Sequence, residues 1–223
     1  ELLDLNNIGF SKINYKKYTN LINSNYGIIL LTGPTGSGKT TTLFSSLNKL
    51  NSEEKNIVTI ENPVEYRIDG INQVQARHKI GLTFARTLRS ILRQDPDILM
   101  VGEIRDEETA KIAVRAALTG HLVFSTLHTN DAVSSISRLL DMGIPSYLVA
   151  SSLIGVVAQR LVRKICTNCK TGYILPAHEA GFFPDKKDYE LFYGQKCENC
   201  NNTGYMGRYA LHEILVVDDE IKK

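Results

Sequence analysis

The 223-residue chain contains no tryptophan and only four cysteines. Four thiols cannot staple a fold of this length, so a disulfide scaffold is excluded. An excess of one charge is lacking too: 26 basic residues stand against 24 acidic ones, a balance of +2. That leaves no electrostatic footprint for nucleic acid, and no direct nucleic-acid partner is expected. Apolar runs of membrane length are missing. The longest uncharged stretch, 142–159, is interrupted by Pro145, Gly155 and three serines and reads as a buried helix. The opening Glu1-Leu2-Leu3-Asp4 offers no basic region followed by an apolar run, and no targeting signal is expected. It offers no methionine either, so the chain is expected to be a fragment of a longer cytoplasmic protein. What is present is ordinary globular material: 43% hydrophobic and 22% charged residues, which excludes disorder.

Residues 1–26, mixed and rich in Asn and Lys, read as a lead-in from a preceding domain. From Gly27 onward short apolar runs at 28–32, 57–60, 98–101 and 122–125 alternate with helical patterns at about 40–50, 83–94, 106–119, 131–142 and 146–162. Unbroken apolar runs of four or five residues suit strands buried on both faces of a parallel sheet. Their alternation with helices predicts a doubly wound α/β core over 27–163. Thr83 and Asp106 are placed to cap two of the helices. Over 164–209 cysteine pairs, glycines and aromatics replace the periodic pattern, which marks a small module with its own stabilising device. Residues 210–223 are expected to begin a helical segment.

Between the first strand and the first helix of that core stands Gly33-Pro34-Thr35-Gly36-Ser37-Gly38-Lys39-Thr40, followed by Thr41. This is the complete phosphate-loop pattern in its proper strand-to-helix context. Glycines let the loop bend around a phosphate and bring backbone N–H groups to it, and the helix adds its positive end. Lys39 is expected to reach the β and γ phosphates, and the Thr40 hydroxyl to bind Mg²⁺.

Ligands of an open parallel sheet bind beyond the carboxyl ends of its strands. Three of those ends carry ionisable groups: Glu61 and Glu65 after one strand, Glu103 after the next, and His128 after the last. Glu103 could hold the metal through water or orient the attacking water, and Glu61 and Glu65 are candidates for the same tasks. His128 could sense the γ-phosphate, or serve as a hydrogen-bonded structural histidine. Arg86, Arg89 and Arg93 fall on one face of the helix expected at 83–94. They could reach phosphate oxygens or a neighbouring subunit, or form a solvated face paired with acids.

All four cysteines fall in two pairs, Cys166-x-x-Cys169 and Cys197-x-x-Cys200, with 27 residues between the pairs. Two such knuckles supply four thiolates for a closed tetrahedral Zn²⁺ site, which stabilises but does not catalyse. Two disulfides or four free thiols are the alternatives.

Taken together, these segments resemble the ATPase family of type II secretion and type IV pilus assembly. The carriers are GPTGSGKTTT at 33–42, TIENPVE at 59–65, LRSILRQDPDILMVGEIRD at 88–106, TGHLVFSTLHTND at 119–131 and the cysteine module ending in TGYMGR at 203–208. The resemblance implies a RecA-like P-loop NTPase core with a mostly parallel sheet plus a tetracysteine zinc module. It implies ATP and Mg²⁺ as cofactors, and a homo-hexamer peripheral to the cytoplasmic face of the inner membrane, acting on an inner-membrane platform protein. By the match, residues 33–40 are the Walker A loop and Glu103 the Walker B glutamate. Glu61 and Glu65 lie in the acidic box, and His121 and His128 in the histidine box. Arg105 joins the arginine candidates. The four cysteines point to the assembly and secretion branch. Asn62 stands where the family usually has aspartate, and Ala76-Arg77-His78 replaces a small-apolar and Asn pattern. The family's preceding domain and final helices are expected to be missing, as in an excised catalytic domain. A rival reading is an ATP-binding assembly scaffold that hardly hydrolyses. A nucleic-acid motor is a third, disfavoured by the charge balance.

Overall fold

In β1 (Gly27–Thr32) all six residues are buried, and successive side chains belong to opposite faces of the sheet. Ile28 and Leu30 pack with Phe84, Leu88 and Ile91, Ala110 and Ala113, Leu139 and Val149. Ile29 and Leu31 pack with Tyr18, Leu21 and Ile22, and with Leu43, Phe44 and Leu47. One strand thus serves two cores, which is why its sequence shows no polar alternation. The computed structural model describes residues 4–174 and 190–223. Residues 1–3 of the expected lead-in and 175–189 of the expected cysteine module lie outside the described residues.

The elements follow in the order α1 (Lys12–Ile22), β1, α2 (Lys39–Leu50), β2 (Ile57–Glu61), β3 (Asn72–Gln75), α3 (Phe84–Ile91), β4 (Ile98–Val101), α4 (Glu107–Leu118) and β5 (Leu122–Leu127). Then come α5 (Ser134–Asp141), α6 (Ser146–Ser152), β6 (Leu153–Ile165), β7 (Lys170–Ile174), β8 (Glu190–Gly194) and β9 (Tyr205–Val216). A seven-stranded sheet has the order β3-β2-β4-β5-β1-β6-β9. Its first six strands run parallel. Helices α1 and α2 cover one face and α3 to α6 the other, the doubly wound α/β architecture expected from the sequence. Thr83 and Asp106 cap α3 and α4 as predicted, accepting from the N–H groups of Arg86 and Thr109.

Two compact units result. One joins the residues up to Arg160 with Ala210–Lys223, and the other is Leu161–Tyr209. In the second, β7 and β8 form an antiparallel pair.

Three stretches differ from expectation. The helix expected at 146–162 ends at Ser152, and Leu153 turns directly into β6. The run Leu153, Val156, Val157 and Ala158 is apolar because β6 is paired to β1 and buried on both faces, a pattern that periodicity cannot separate from a buried helix. Residues 210–216 are strand rather than helix. In the region expected as lead-in, α1 forms a capped helix, with Ser11 accepting from the Asn14 N–H. It packs so closely on β6 that a β-carbon at Gly155 would lie 2.5 Å from Leu21 Cδ1. Its neighbours are part of the same core.

Candidate nucleotide site and cysteine centre

The loop at 33–40 leaves β1 and enters α2 as the sequence requires. Gly33 has φ of +138°, and a β-carbon there would meet the Gln159 carbonyl oxygen at 2.3 Å. Only glycine fits both the backbone and the space. Lys39 is 9% exposed. Its Nζ donates to the carbonyls of Gly33 at 2.8 Å and Pro34 at 3.0 Å, so the loop wraps around its own lysine. Burial pulls the Lys39 pKa below the usual lysine value, while the Glu103 carboxylate acts the other way. That opposition places Glu103 within electrostatic reach of the loop.

Glu103 is positioned by its neighbours' main chain. Gly102 N–H donates to Ile60 O at 2.8 Å, and Ile104 N–H to Thr126 O at 3.1 Å. The Thr126 hydroxyl donates to Gly102 O at 2.7 Å. The segment after β4 is thereby clamped between β2 and β5. The Glu103 side chain is 17% exposed, and its Oε2 lies 2.7 Å from Arg105 Nε and 3.6 Å from His128 Nε2. The structure thus brings together three residues singled out in the sequence.

His128 owes its place to Thr32, the last residue of β1. The Thr129 N–H donates to Thr32 Oγ1 at 2.8 Å. The Thr32 hydroxyl lies within hydrogen-bond distance of the carbonyls of Leu127 and Thr129, at 3.2 and 2.8 Å. Both flanks of His128 are therefore pinned to the strand that carries the phosphate loop. The Thr129 hydroxyl continues to Ser135 Oγ at 2.7 Å. Asp131 accepts from the Ser134 N–H and hydroxyl, which hold its carboxyl below the usual carboxylate range.

Other candidates lie elsewhere. Glu61, 4% exposed, accepts at Oε1 from the Thr59 hydroxyl at 2.5 Å and from Gln73 Nε2 at 3.0 Å. Gln73 also accepts from Ile68 N–H and donates to Tyr66 O, so these bonds tie β2 to β3 and to the loop between them. Glu65 is exposed on that loop. Arg86 Nη1 lies 3.5 Å from Gly81 O, Arg89 pairs with Glu108 of α4, and Arg93 donates to Arg89 O at 2.9 Å. Of these three, Arg89 meets an acid while Arg86 and Arg93 meet main-chain carbonyls; Arg105 meets Glu103. His121 Nδ1 lies 2.8 Å from Ala116 O and closes the end of α4. Residues that sequence reading missed are Thr32, Thr129, Gln73 and Gln159. A polar residue closing an apolar run was the available signal for Thr32 and Gln159.

In the second unit the four cysteine sulfurs all lie within 4.8 Å of one another. Cys166 and Cys197 are 3.9 Å apart, Cys169 and Cys200 3.9 Å, and Cys197 and Cys200 3.7 Å. Tetrahedral thiolate coordination with bonds of about 2.3 Å requires sulfurs about 3.8 Å apart. The set fits a metal ion, and these separations are too long for disulfides. Burial raises the Cys200 thiol, but hydrogen bonds from the N–H groups of Cys197 and Gly204 and from the Cys197 and Cys169 thiols together outweigh it and bring its pKa to about 6. Burial and the neighbouring sulfurs push Cys169 up to about 12.

The whole chain, residues 1–223, matches the Type II/IV secretion system protein family. The chain belongs to that family. It is 53% identical over 223 residues to the type II secretion system ATPase E of Vibrio cholerae, covering 99% of this chain and 44% of that protein. It is 52% identical over 227 residues to the type IV pilus assembly ATPase PilB of Thermus thermophilus, covering 100% of this chain and 25% of that one. The chain thus spans less than half the length of these relatives. Among solved structures, the pilus retraction motor PilT with bound ADP aligns with a TM-score of 0.72 at 33% identity, over 98% of this chain and 54% of that one. The Legionella pneumophila ATPase DotB aligns with a TM-score of 0.71 at 26% identity, over 98% and 52%. These likenesses agree with the RecA-like P-loop core expected from the sequence.

Proposed function

We propose that this family member is the ATP-hydrolysing part of a motor that drives pseudopilus or type IV pilus assembly. The observation that carries the reading is the Lys39 phosphate loop after β1 with Glu103 after β4, two strands away in the sheet, in electrostatic reach and meeting His128 at the end of the intervening β5. Residues 33–41 would cradle the phosphates and Lys39 would neutralise them, while the Thr40 hydroxyl, with Glu103 through water, would hold Mg²⁺, which would supply further charge neutralisation. Glu103 then orients the attacking water, and His128 and Arg105, already at its carboxylate, respond to the γ-phosphate. Glu61 builds the sheet beneath the loop that carries Glu65. The chemistry of four thiolates and no open position fits Zn²⁺ at Cys166, Cys169, Cys197 and Cys200 in a stabilising role.

Among the described residues no helix is long and apolar enough to cross a membrane, which suits a peripheral subunit at the cytoplasmic face of the inner membrane. The relatives named for secretion and pilus assembly support work within a membrane machine; the homo-hexamer and its inner-membrane platform protein follow from the family resemblance. The test is Mg²⁺-dependent ATP turnover by the chain beside Lys39→Ala, which removes a charge-assisted phosphate contact. Turnover that vanishes in the variant is expected; equal turnover in both overturns the assignment.

A further inference from the structure

A glutamine sits where the sheet does not need one. Residues Val156, Val157 and Ala158 of β6 are buried and apolar, and Gln159 after them is 2% exposed. A buried amide is costly unless it is bonded. Its main chain and its side chain both meet the phosphate loop. The β1–β6 register runs to Thr32 opposite Ala158, so Gly33 and Gln159 come next. There the Gln159 carbonyl oxygen fills the space a Gly33 β-carbon would take. The side chain crosses to the other end of the loop, where Oε1 accepts from the Thr42 hydroxyl at 2.8 Å.

Thr42 is fully buried in the first turn of α2, two residues past Thr40. A helical threonine ordinarily bonds back to the carbonyl four residues earlier. For Thr42 that carbonyl, Gly38 O, is 3.3 Å away and already accepts the Thr42 N–H. The shorter bond to Gln159 ties the first turn of the helix sideways to β6. The tie has an anchor on its far side. Thr42 O accepts from the Ser46 hydroxyl at 2.7 Å, and Ser46 Oγ lies 2.7 Å from the Tyr18 hydroxyl. With the Ser46 proton committed to Thr42 O, Tyr18 is the donor. A line of buried groups therefore runs from β6 through α2 to α1.

We propose that Gln159 is a positioning residue for nucleotide binding, its carbonyl setting the entry of the phosphate loop and its amide, through Thr42, the exit. Near-total burial keeps Gln159 itself off the ligand. The loop's N–H groups must be aimed before phosphate arrives, and preorganisation of that kind appears in affinity. The inference rests on the nucleotide reading given above.

The experiment measures binding of a fluorescent ATP analogue with Mg²⁺, and ATP in competition, on the whole chain. Gln159→Met keeps the bulk and loses the acceptor. Thr42→Val keeps the shape and loses the donor, and Thr42→Ser keeps the hydroxyl. Each of the first two is expected to weaken binding about fivefold, the worth of one net hydrogen bond. The double variant should be no weaker than either single one. Thr42→Ser should bind as the parent does, all melting temperatures should agree within a few degrees, and turnover at saturating ATP should change less than the Michaelis constant. Should Gln159→Met fail to fold, the valine and serine pair at position 42 decides alone. Singles that bind as the parent does, or losses that add in the double, overturn the proposal while leaving the nucleotide reading intact. A parent chain that binds no ATP removes both.

Discussion

Gly33 stands so close to the main chain of Gln159 that a β-carbon would lie 2.3 Å from its carbonyl oxygen, at a φ of +138°. Neither the strand nor the loop can yield without breaking the β1–β6 register. Gly33→Ala should therefore weaken ATP binding by more than tenfold and lower the melting temperature, since clash and strain act together. Gly36→Ala provides the contrast, because space is open around Gly36 though its φ is also positive. Calorimetric titration of both variants with MgATP should show the greater loss at Gly33.

Replacing Glu103 by Gln removes the negative charge and keeps the shape. Turnover should fall by about two to four orders of magnitude if the carboxylate acts as base or water-orienting group, while ATP still binds. Single-turnover hydrolysis alongside equilibrium binding separates these effects. Equal, negligible turnover in parent and variant, with ATP-dependent assembly in both, would instead favour the scaffold reading.

The cysteine centre makes a prediction about content and folding. Metal analysis should find one zinc per chain, and Cys200→Ser should lower it sharply. Because a four-thiolate site can supply the folding energy of a small module, the variant or prolonged chelation should expose the Leu161–Tyr209 unit to limited proteolysis. Zinc-free material that resists protease equally would remove the stabilising role.

His212 supplies a pH dependence. Its ring stacks on Phe10 with centroids 3.9 Å apart, and its Nε2 is buried with no hydrogen-bond partner among the described residues. Burial lowers its pKa from 6.5 to about 4. Between those values the unfolded chain holds the extra proton, so stability rises with pH through that window and is complete above 6.5. Denaturant midpoints between pH 4 and 7 should fall on acidification, and His212→Phe should flatten that part of the profile. An unchanged slope in the variant would assign it to other groups.

Much of the site was legible because its chemistry is local. The phosphate loop is eight consecutive residues whose types answer to one ligand, and the paired cysteines carry their spacing in the chain. Glu103 and His128 could be singled out because each follows a recognisable apolar strand, and the sheet order then brought both strand ends together. Arg86, Arg89 and Arg93 share a face on a helical wheel, yet within the chain their bonds go to Gly81, Glu108 and the Arg89 carbonyl. Helical spacing fixes which residues share a face and says nothing about what that face meets. The error at 146–162 has a related cause: a segment buried on every side loses the period that tells strand from helix.

The sequence by itself therefore determined the α/β alternation, the phosphate loop, the two cysteine pairs and the two helix caps, all of which depend on neighbours within a few positions. Tertiary structure alone decided that β6 lies beside β1, that α1 belongs to the core, and that Thr32, Gln159 and Thr42 brace the site. Those relations join residues about a hundred positions apart. They are set by which buried faces and hydrogen-bonding groups can be satisfied together when the chain closes on itself.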